Sequence, residues 1–253
     1  MGTEDSLEGI NKTHDDMSRI SKWAGGLGVH ISNYRATGSL IRSTNGPASG
    51  IVPVMRMFDA CMNMYNQGGK RPGNSAIYLE PHHPDIMLFL DLKRNHGDEK
   101  LRARDLFYAM WISDLFMRRV ENDEMWSLFC PDNCPDLNNV HGQQYEDLYC
   151  KYEQDGKAIK QLPARKILRA IYDSMKETGT PYIGFKDTVN RYSMQSNIGT
   201  IRSSNLCVSG DTLILTDKGN LPIKELSEFD IPIHNVWNGN EFTPATFAKT
   251  GEN

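Results

Sequence analysis

Two side chains in the segment at residues 203–207 are suited to chemistry on a small substrate. Asn205 and Cys207 lie two positions apart in the segment SSNLC, so in an extended backbone both would point to the same face. An amide can orient a substrate hydroxyl by hydrogen bonds, and a thiol can act as a nucleophile or a one-electron site. A buried structural cysteine is the competing interpretation, and this spacing does not decide between the two.

Glycine-rich turns provide two further candidates. Lys70 and Arg71 lie in the loop QGGKRPG at residues 67–73, between a predicted helix and a predicted strand. Such a loop can contact an anion, a phosphate or a nucleobase, but a plain surface turn fits the composition equally well. The turn Gly25–Gly28 lacks the G-x-G-x-x-G spacing and follows a helix, so it is not a dinucleotide motif. A close approach of its backbone to a ligand remains possible.

The potential metal ligands do not form a recognisable set. Cys130 and Cys134 resemble half of a zinc site, but no second pair lies at a suitable spacing. His82 and His83 are adjacent, so their side chains diverge in an extended segment. We therefore expect no metal site in this chain.

The composition is that of an ordinary globular protein. Of the 253 residues, 39% are hydrophobic and 24% are charged, which is enough for a sizeable core. No apolar run approaches the roughly 18 residues of a membrane span, and the acidic start lacks a secretory signal pattern. Five cysteines do not suggest a disulfide framework, so a cytoplasmic location is expected. The net charge of −4 argues against a general nucleic-acid binder, so we expect neither DNA nor a membrane as partner.

Alternating helix and strand patterns must position the candidate residues. We predict a helix capped by Ser6, a Met-rich helix over 51–66, a helix over 84–94 with Pro84 in its first turn, a helix capped by Ser113, and helices over 144–154 and 163–179. The segments around Val29 and at 75–80, 106–112 and 181–185 are predicted strands. The stripe of Met55, Met62 and Tyr65 is read as core packing. Strands separated by helices predict an α/β fold with crossover connections.

The character of the sequence changes near Cys207. Residues 207–253 hold three basic and seven acidic side chains, which leaves 25 of each in residues 1–206. Short apolar runs follow one another in this tail, and Asn238–Gly239 is a strong hairpin signal. We therefore predict two units, 1–206 and 207–253, and the second is expected to be small and all-β.

Several segments occur in the order seen in the large (α) subunit of class I ribonucleotide reductase. They are AGGLGV, RATGS, NGPASGIVPVMRMF, QGGKRPGNSAIYLEPHHPDIMLFLDLKRNHG, RARDLFYAMWISDLFMRRV, ETGTPY, KDTVNR and IGTIRSSNLC. The chain resembles that family over about residues 5–207. The resemblance implies a partial ten-stranded α/β barrel, and reduction of ribonucleoside diphosphates to deoxyribonucleoside diphosphates by thiyl-radical chemistry.

The resemblance also implies roles at the substrate. Asn205 would bind the substrate and help to manage its hydroxyl protons, and Cys207 would carry the thiyl radical that abstracts hydrogen from the ribose. Ala24, Gly25 and Gly26 would lie close to the substrate. The family has a glutamate two positions after its cysteine, where this chain has Ser209.

Regulation and partners follow from the same resemblance. An effector site for nucleoside triphosphates would include Asp5, Ser6, Leu7, Lys22, Arg35, Arg42 and Ser43, and a specificity loop would include Gln67, Lys70 and Arg71. The large subunit would form a homodimer and would receive its radical from a metal-containing small subunit. This chain itself is expected to bind no metal or cofactor beyond its nucleotides. The second half of the barrel, with its remaining redox and radical-transfer residues, is expected in another chain.

The tail resembles a different family. Beginning at Cys207, the segments CVSGDTLILT and GNLPIKEL resemble the start of an intein, the self-splicing Hint fold. The splice junction would be Leu206–Cys207, where the Cys207 thiol would attack the Leu206 carbonyl. One interpretation is a reductase part that is joined to its missing half by trans-splicing. The alternative is an inactive truncated fragment whose only chemistry is thioester formation and cleavage.

Overall fold

The computed structural model describes residues 1–23, 25–65, 73–205, 213–228, 233–237 and 241–246. The strands are β1 Leu27–His30, β2 Leu40–Ile41, β3 Gly46–Pro47, β4 Ser75–Leu79, β5 Phe107–Ile112, β6 Met125–Leu128, β7 Lys160–Pro163, β8 Tyr182–Phe185, β9 Leu213–Thr216, β10 Gly219–Pro222, β11 Ile233–Trp237 and β12 Phe242–Thr246. The helices are α1 Leu7–Lys22, α2 Ile51–Met64, α3 Ile86–Asp91, α4 Asp114–Glu121, α5 Gly142–Gln154, α6 Ala164–Thr178, α7 Lys186–Arg191 and α8 Ile223–Glu228.

A parallel sheet organises the first part of the chain. Its strand order is β1-β4-β5-β8, and every neighbouring pair is parallel. Helices lie between consecutive strands of this sheet along the chain, as crossover connections require. The α/β prediction is therefore confirmed. These four strands form an open sheet rather than a closed barrel.

Local signals place most helix ends where the sequence predicts them. The Ser6 hydroxyl accepts a hydrogen bond from the Gly9 amide at the start of α1, and Ser113 caps α4 in the same way. Gly179 ends α6 with a φ of 74°, which favours glycine. One prediction is wrong in detail: Pro84 precedes α3, whose N-cap residue is Asp85, and so does not lie in its first turn.

The core lies between the helices and the parallel sheet. Met55 and Met62 on α2 are fully buried and Tyr65 packs at its edge, which confirms the core interpretation of that stripe. A second part of the core is aromatic, where Trp126 stacks on Tyr149 with ring centroids 4.4 Å apart. Trp126 belongs to the antiparallel pair β6–β7, which the sequence patterns do not predict.

The tail forms a separate antiparallel sheet with the order β10-β9-β11-β12. The prediction of an all-β tail is corrected by the short helix α8, which occupies most of the apolar run LPIKEL. Leu226 is buried on this helix, because a helical turn lets it point inward while Lys224 and Glu225 stay exposed. β11 and β12 pair antiparallel, with Trp237 opposite Phe242, while Asn238 and Gly239 lie outside the described residues.

Candidate functional site

The segment that carries Asn205 packs against the start of β1. The Ser203 hydroxyl donates a hydrogen bond to the Gly28 carbonyl at 3.3 Å. A Cβ atom on Gly28 would lie only 1.7 Å from the Ser204 carbonyl oxygen. Glycine is therefore required at position 28 because another backbone segment passes directly over it. The turn Gly25–Gly28 is thus closely approached at Gly28, and the approaching group is the Ser204 carbonyl of the same chain.

The described substrate residues of the prediction lie on two stretches of chain that meet at Gly28. Gly25 and Gly26 immediately precede β1, so they lie beside the end of the strand that contacts Ser204. Asn205 follows Ser204 and is exposed. Five predicted residues lie outside the described residues, namely Ala24, Gln67, Lys70, Arg71 and Cys207. The same holds for Leu206 and thus for the whole splice junction.

A buried ion pair lies at the carboxyl ends of the strands of the parallel sheet. Glu80 directly follows β4, and Lys186 begins α7 directly after β8. The Lys186 ammonium donates to both Glu80 carboxylate oxygens, at 3.1 and 2.9 Å, and to the Leu137 carbonyl at 2.8 Å. Both side chains are essentially inaccessible to water. The two charges therefore depend on each other for stabilisation.

Two histidines flank this ion pair. His30 Nε2 lies 3.4 Å from Glu80 Oε1, and His82 Nδ1 lies 3.5 Å from Glu80 Oε2. His82 Nδ1 also lies 3.1 Å from the Tyr145 hydroxyl, and the Lys186 ammonium lies over the Tyr145 ring. We refer to His30, Glu80, His82, Tyr145 and Lys186 as the buried charge cluster.

Burial and charge shift the titration of the buried charge cluster. Burial is the largest single influence on Glu80 and would raise its pKa, but the Lys186 charge together with His30 and His82 outweighs it and lowers that pKa to about 2. Burial lowers the pKa of His82 to about 3 and also lowers the pKa of His30. Burial likewise lowers the pKa of Lys186, against the attraction of Glu80. At neutral pH the cluster therefore holds one carboxylate, one ammonium and two neutral imidazoles.

The buried charge cluster is not among the sites expected from the sequence, although a signal for it exists. His30 ends β1, and Glu80 and Lys186 come directly after β4 and β8. Polar residues at the carboxyl ends of parallel strands meet at one edge of the sheet. Within the part of the chain that the structure describes, no group of three or more His, Cys, Asp or Glu side chains could hold a metal ion.

Four of the predicted effector residues meet at the start of α1. Arg35 Nε donates to Asp5 Oδ2 at 2.6 Å, and Arg35 Nη1 donates to the Leu40 carbonyl at 2.9 Å. Ser6 caps the helix beside them, and Leu7 is 70% exposed. The arrangement places an ion-paired guanidinium beside the amino end of a helix.

The other predicted effector residues lie elsewhere in this chain. Lys22 ends α1, about 24 Å from its beginning for a helix of 16 residues. Arg42 and Ser43 are exposed in the connection between β2 and β3. Arg42 approaches Asp132 at 3.8 Å and borders a pocket of about 340 Å³ that also includes Ser39 and Asn133. Lys22 thus lies neither with the effector residues at the start of α1 nor with Arg42 and Ser43.

Asp85 fixes the loop that carries these residues. Its carboxylate accepts hydrogen bonds from the Thr37 amide and hydroxyl and from the Ile51 amide at the start of α2. A Cβ on Gly50, whose φ is 71°, would lie 2.5 Å from Asp85 Oδ2. The Asp85 amide donates to His83 Nδ1, so His83 Nε2 carries the proton that is donated to the Tyr34 carbonyl. Both ends of the loop from Arg35 to Gly50 are therefore held by buried polar contacts.

Comparison with known proteins identifies the origin of this architecture. The family described as "Ribonucleotide reductase, barrel domain" matches residues 1–214. Over 205 residues, 81% of this chain, it is 54% identical to a ribonucleoside-diphosphate reductase large subunit of Arabidopsis thaliana, 53% identical to that of Vaccinia virus (strain Copenhagen) and 52% identical to that of Danio rerio. These matches cover 25%, 27% and 26% of the respective relatives, so the chain spans about a quarter of their length. No described helix is long and apolar enough to cross a membrane. By the extent of the family match, this chain belongs to the ribonucleotide reductase barrel-domain family.

Proposed function

We propose that this chain is a cytoplasmic part of a ribonucleoside-diphosphate reductase large subunit, active in deoxyribonucleotide synthesis once it is joined to the rest of the barrel. The observation that carries the proposal is the family match over residues 1–214, which includes the Asn205 segment. The packing of Ser203 and Ser204 on β1, beside Gly25 and Gly26, supports a substrate site at that place. Asn205 would bind the ribose there.

The joined subunit would act with a small subunit that supplies the radical, and as a homodimer. Cys207 or its replacement after joining would abstract hydrogen from the ribose as a thiyl radical. Gln67, Lys70 and Arg71 would relay which effector is bound, and Lys22, Arg42 and Ser43 would complete the effector site with a second subunit. The distance of Lys22 from Asp5 along α1 supports a site that is shared between two chains.

Nucleotide binding tests the effector assignment. Arg35→Ala is expected to weaken binding of dATP or dTTP by about tenfold or more, because a charged hydrogen-bond donor is lost at the site. Isothermal titration calorimetry of the full chain measures this change. Arg19→Ala is the matched control, since Arg19 lies on the exposed side of α1 and forms an ion pair with Asp15. Equal affinities of wild type and Arg35→Ala would remove Arg35 from the effector site.

Splicing tests how the parts are joined. We propose that the Cys207 thiolate attacks the Leu206 carbonyl, which breaks the peptide bond, frees the Cys207 amino group and forms a thioester. The tail sheet of β9 to β12 lies almost entirely beyond the family match, which ends at residue 214, and this supports a separate origin for the tail. Splicing would then join Leu206 to a partner chain that begins with Cys-x-Glu, so that Ser209 is removed.

Dithiothreitol separates the splicing proposal from its alternatives. Incubation of the full chain is expected to release a fragment that ends at Leu206, detected by mass spectrometry, because the added thiol displaces Cys207 from the thioester. Cys207→Ala should abolish the release, whereas Cys150→Ala should not. Addition of the complementary half should give a ligated product with reductase activity. Cleavage without any ligation favours the inactive fragment, and identical products from Cys207→Ala would refute the intein assignment.

A further inference from the structure

The short helix α7 is fixed in place by buried polar side chains. Lys186, its first residue, belongs to the buried charge cluster and is tied to Glu80 and Leu137. The Asp187 carboxylate accepts hydrogen bonds from the Asp114 amide and the Gly142 amide, both at 2.6 Å, at the starts of α4 and α5. α7 is thus connected to the end of β4 and to two helices, which makes it a rigid support.

A third buried polar side chain on α7 connects this support to the Asn205 segment. Asn190 is only 3% exposed. Its Oδ1 accepts from the Ile201 amide at 2.6 Å, and its Nδ2 donates to the Ile201 carbonyl at 2.9 Å. Nδ2 also donates to the Lys186 carbonyl at 2.9 Å, which fixes the side-chain rotamer. One amide therefore satisfies both backbone groups of Ile201.

The chain between Asn190 and Ile201 supports Ile201 less firmly than the Asn190 side chain does. Residues 194–199 are exposed, so they cannot hold Ile201 by packing. Beyond Ile201, the Asn205 segment has the Ser203 contact with Gly28 as a further anchor. Thr200, the residue before Ile201, donates a hydrogen bond to the Asn139 carbonyl. Of these three contacts, the one with Asn190 is made by a buried side chain, whereas Thr200 and Ser203 are partly exposed.

We infer that Asn190 is a positioning residue that fixes the backbone at Ile201 and thereby aligns Asn205, four residues later, with the substrate. This inference rests on the proposed function for the role of Asn205. Only an amide suits the position: an aspartate would turn an unprotonated oxygen toward the carbonyls of Ile201 and Lys186, and an alanine would leave the Ile201 groups unpaired.

Hydrogen exchange in the full chain tests the inference. Asn190→Ala is expected to lower the protection of the Ile201 amide by roughly tenfold or more, since that amide loses its partner. The Ala109 amide in β5 is the internal reference and should keep its protection, which shows that the variant is folded. Asn122→Asp is the matched surface control and should leave Ile201 unchanged.

The pH dependence of Asn190→Asp distinguishes positioning from a general structural effect. Above neutral pH this variant should lose protection at Ile201 as Asn190→Ala does. As the pH falls toward 5, the buried carboxyl should take up a proton, donate as the amide does and restore protection, because burial and two facing carbonyls favour its neutral form. Asn190→Ala should show no such recovery. Unchanged protection at Ile201 in Asn190→Ala, or no recovery in a folded Asn190→Asp, would overturn the inference.

A separate measurement reports on the proposed function. Calorimetry with ADP and CDP shows whether the full chain binds a ribonucleoside diphosphate, and Asn190→Ala should weaken that binding. Failure of the wild type to bind either nucleotide, even with the complementary half, would contradict the substrate site. The exchange result at Ile201 would still decide the role of Asn190 in fixing the backbone.

Discussion

Lys186→Met is expected to lower the free energy of unfolding by about 3–5 kcal/mol, because it leaves the Glu80 carboxylate buried without its positive partner. Both members of the pair are almost completely shielded from water, so solvent cannot replace the lost interaction. The two neutral histidines beside Glu80 compensate only in part. Urea denaturation at pH 7, monitored by circular dichroism, measures the loss.

Two further variants show that the effect belongs to the ion pair. The double variant Lys186→Met with Glu80→Gln should recover much of the lost stability, since no unpaired charge then remains in the core. Lys176→Met, on the exposed side of the last turn of α6, should change stability little. A loss for Lys186→Met as small as that for Lys176→Met would show that the pair is not buried in solution.

Acid is expected to destabilise this chain in a range set by its buried histidines. The pKa of His82 is lowered to about 3, against about 6.5 in an unfolded chain. Protons therefore bind the unfolded state more readily, and stability is complete above about pH 6.5 and declines as the pH falls toward 3. Between pH 7 and pH 5, His82 alone should cost about 2 kcal/mol of unfolding free energy.

The pH range separates the contribution of Glu80 from that of His82. The lowered pKa of Glu80 gives stability that is present above about pH 4.3 and is lost only as the pH falls toward 2. His30 and His83 also have lowered pKa values, so they add to the loss between pH 7 and pH 5 in all variants. The difference between wild type and a His82 variant in this range therefore reports His82.

His82→Gln is the variant for this measurement, because an amide cannot titrate but can still bond the Tyr145 hydroxyl. Its loss of stability from pH 7 to pH 5, from urea curves, should be smaller than that of wild type by about 2 kcal/mol. His96→Gln is the control, since its imidazole side chain is 72% exposed. Equal pH dependence in wild type and His82→Gln would mean that the pKa of His82 is the same in the folded and unfolded states, against the lowered value.

Local signals in the sequence were sufficient to predict the elements of the parallel sheet and most helix ends. Ser6 and Ser113 cap helices because their hydroxyls satisfy nearby amides, and Gly179 ends α6 because its φ is positive. These interactions join residues a few positions apart, so spacing reveals them. The tail was harder to predict, because an apolar run as short as LPIKEL fits a strand or a helix equally well.

The contacts that shape the sites depend on which elements become neighbours. Glu80 and Lys186 are 106 residues apart, and Asn190 meets Ile201 across an exposed loop. Their positions directly after strands place Glu80 and Lys186 at one edge of the sheet, but which residues pair follows from the strand order β1-β4-β5-β8. The Asn190 contact follows from the path of the chain back over Gly28. A buried charge or amide is stable only with a partner in a particular direction, and that direction exists only after the sheet has assembled.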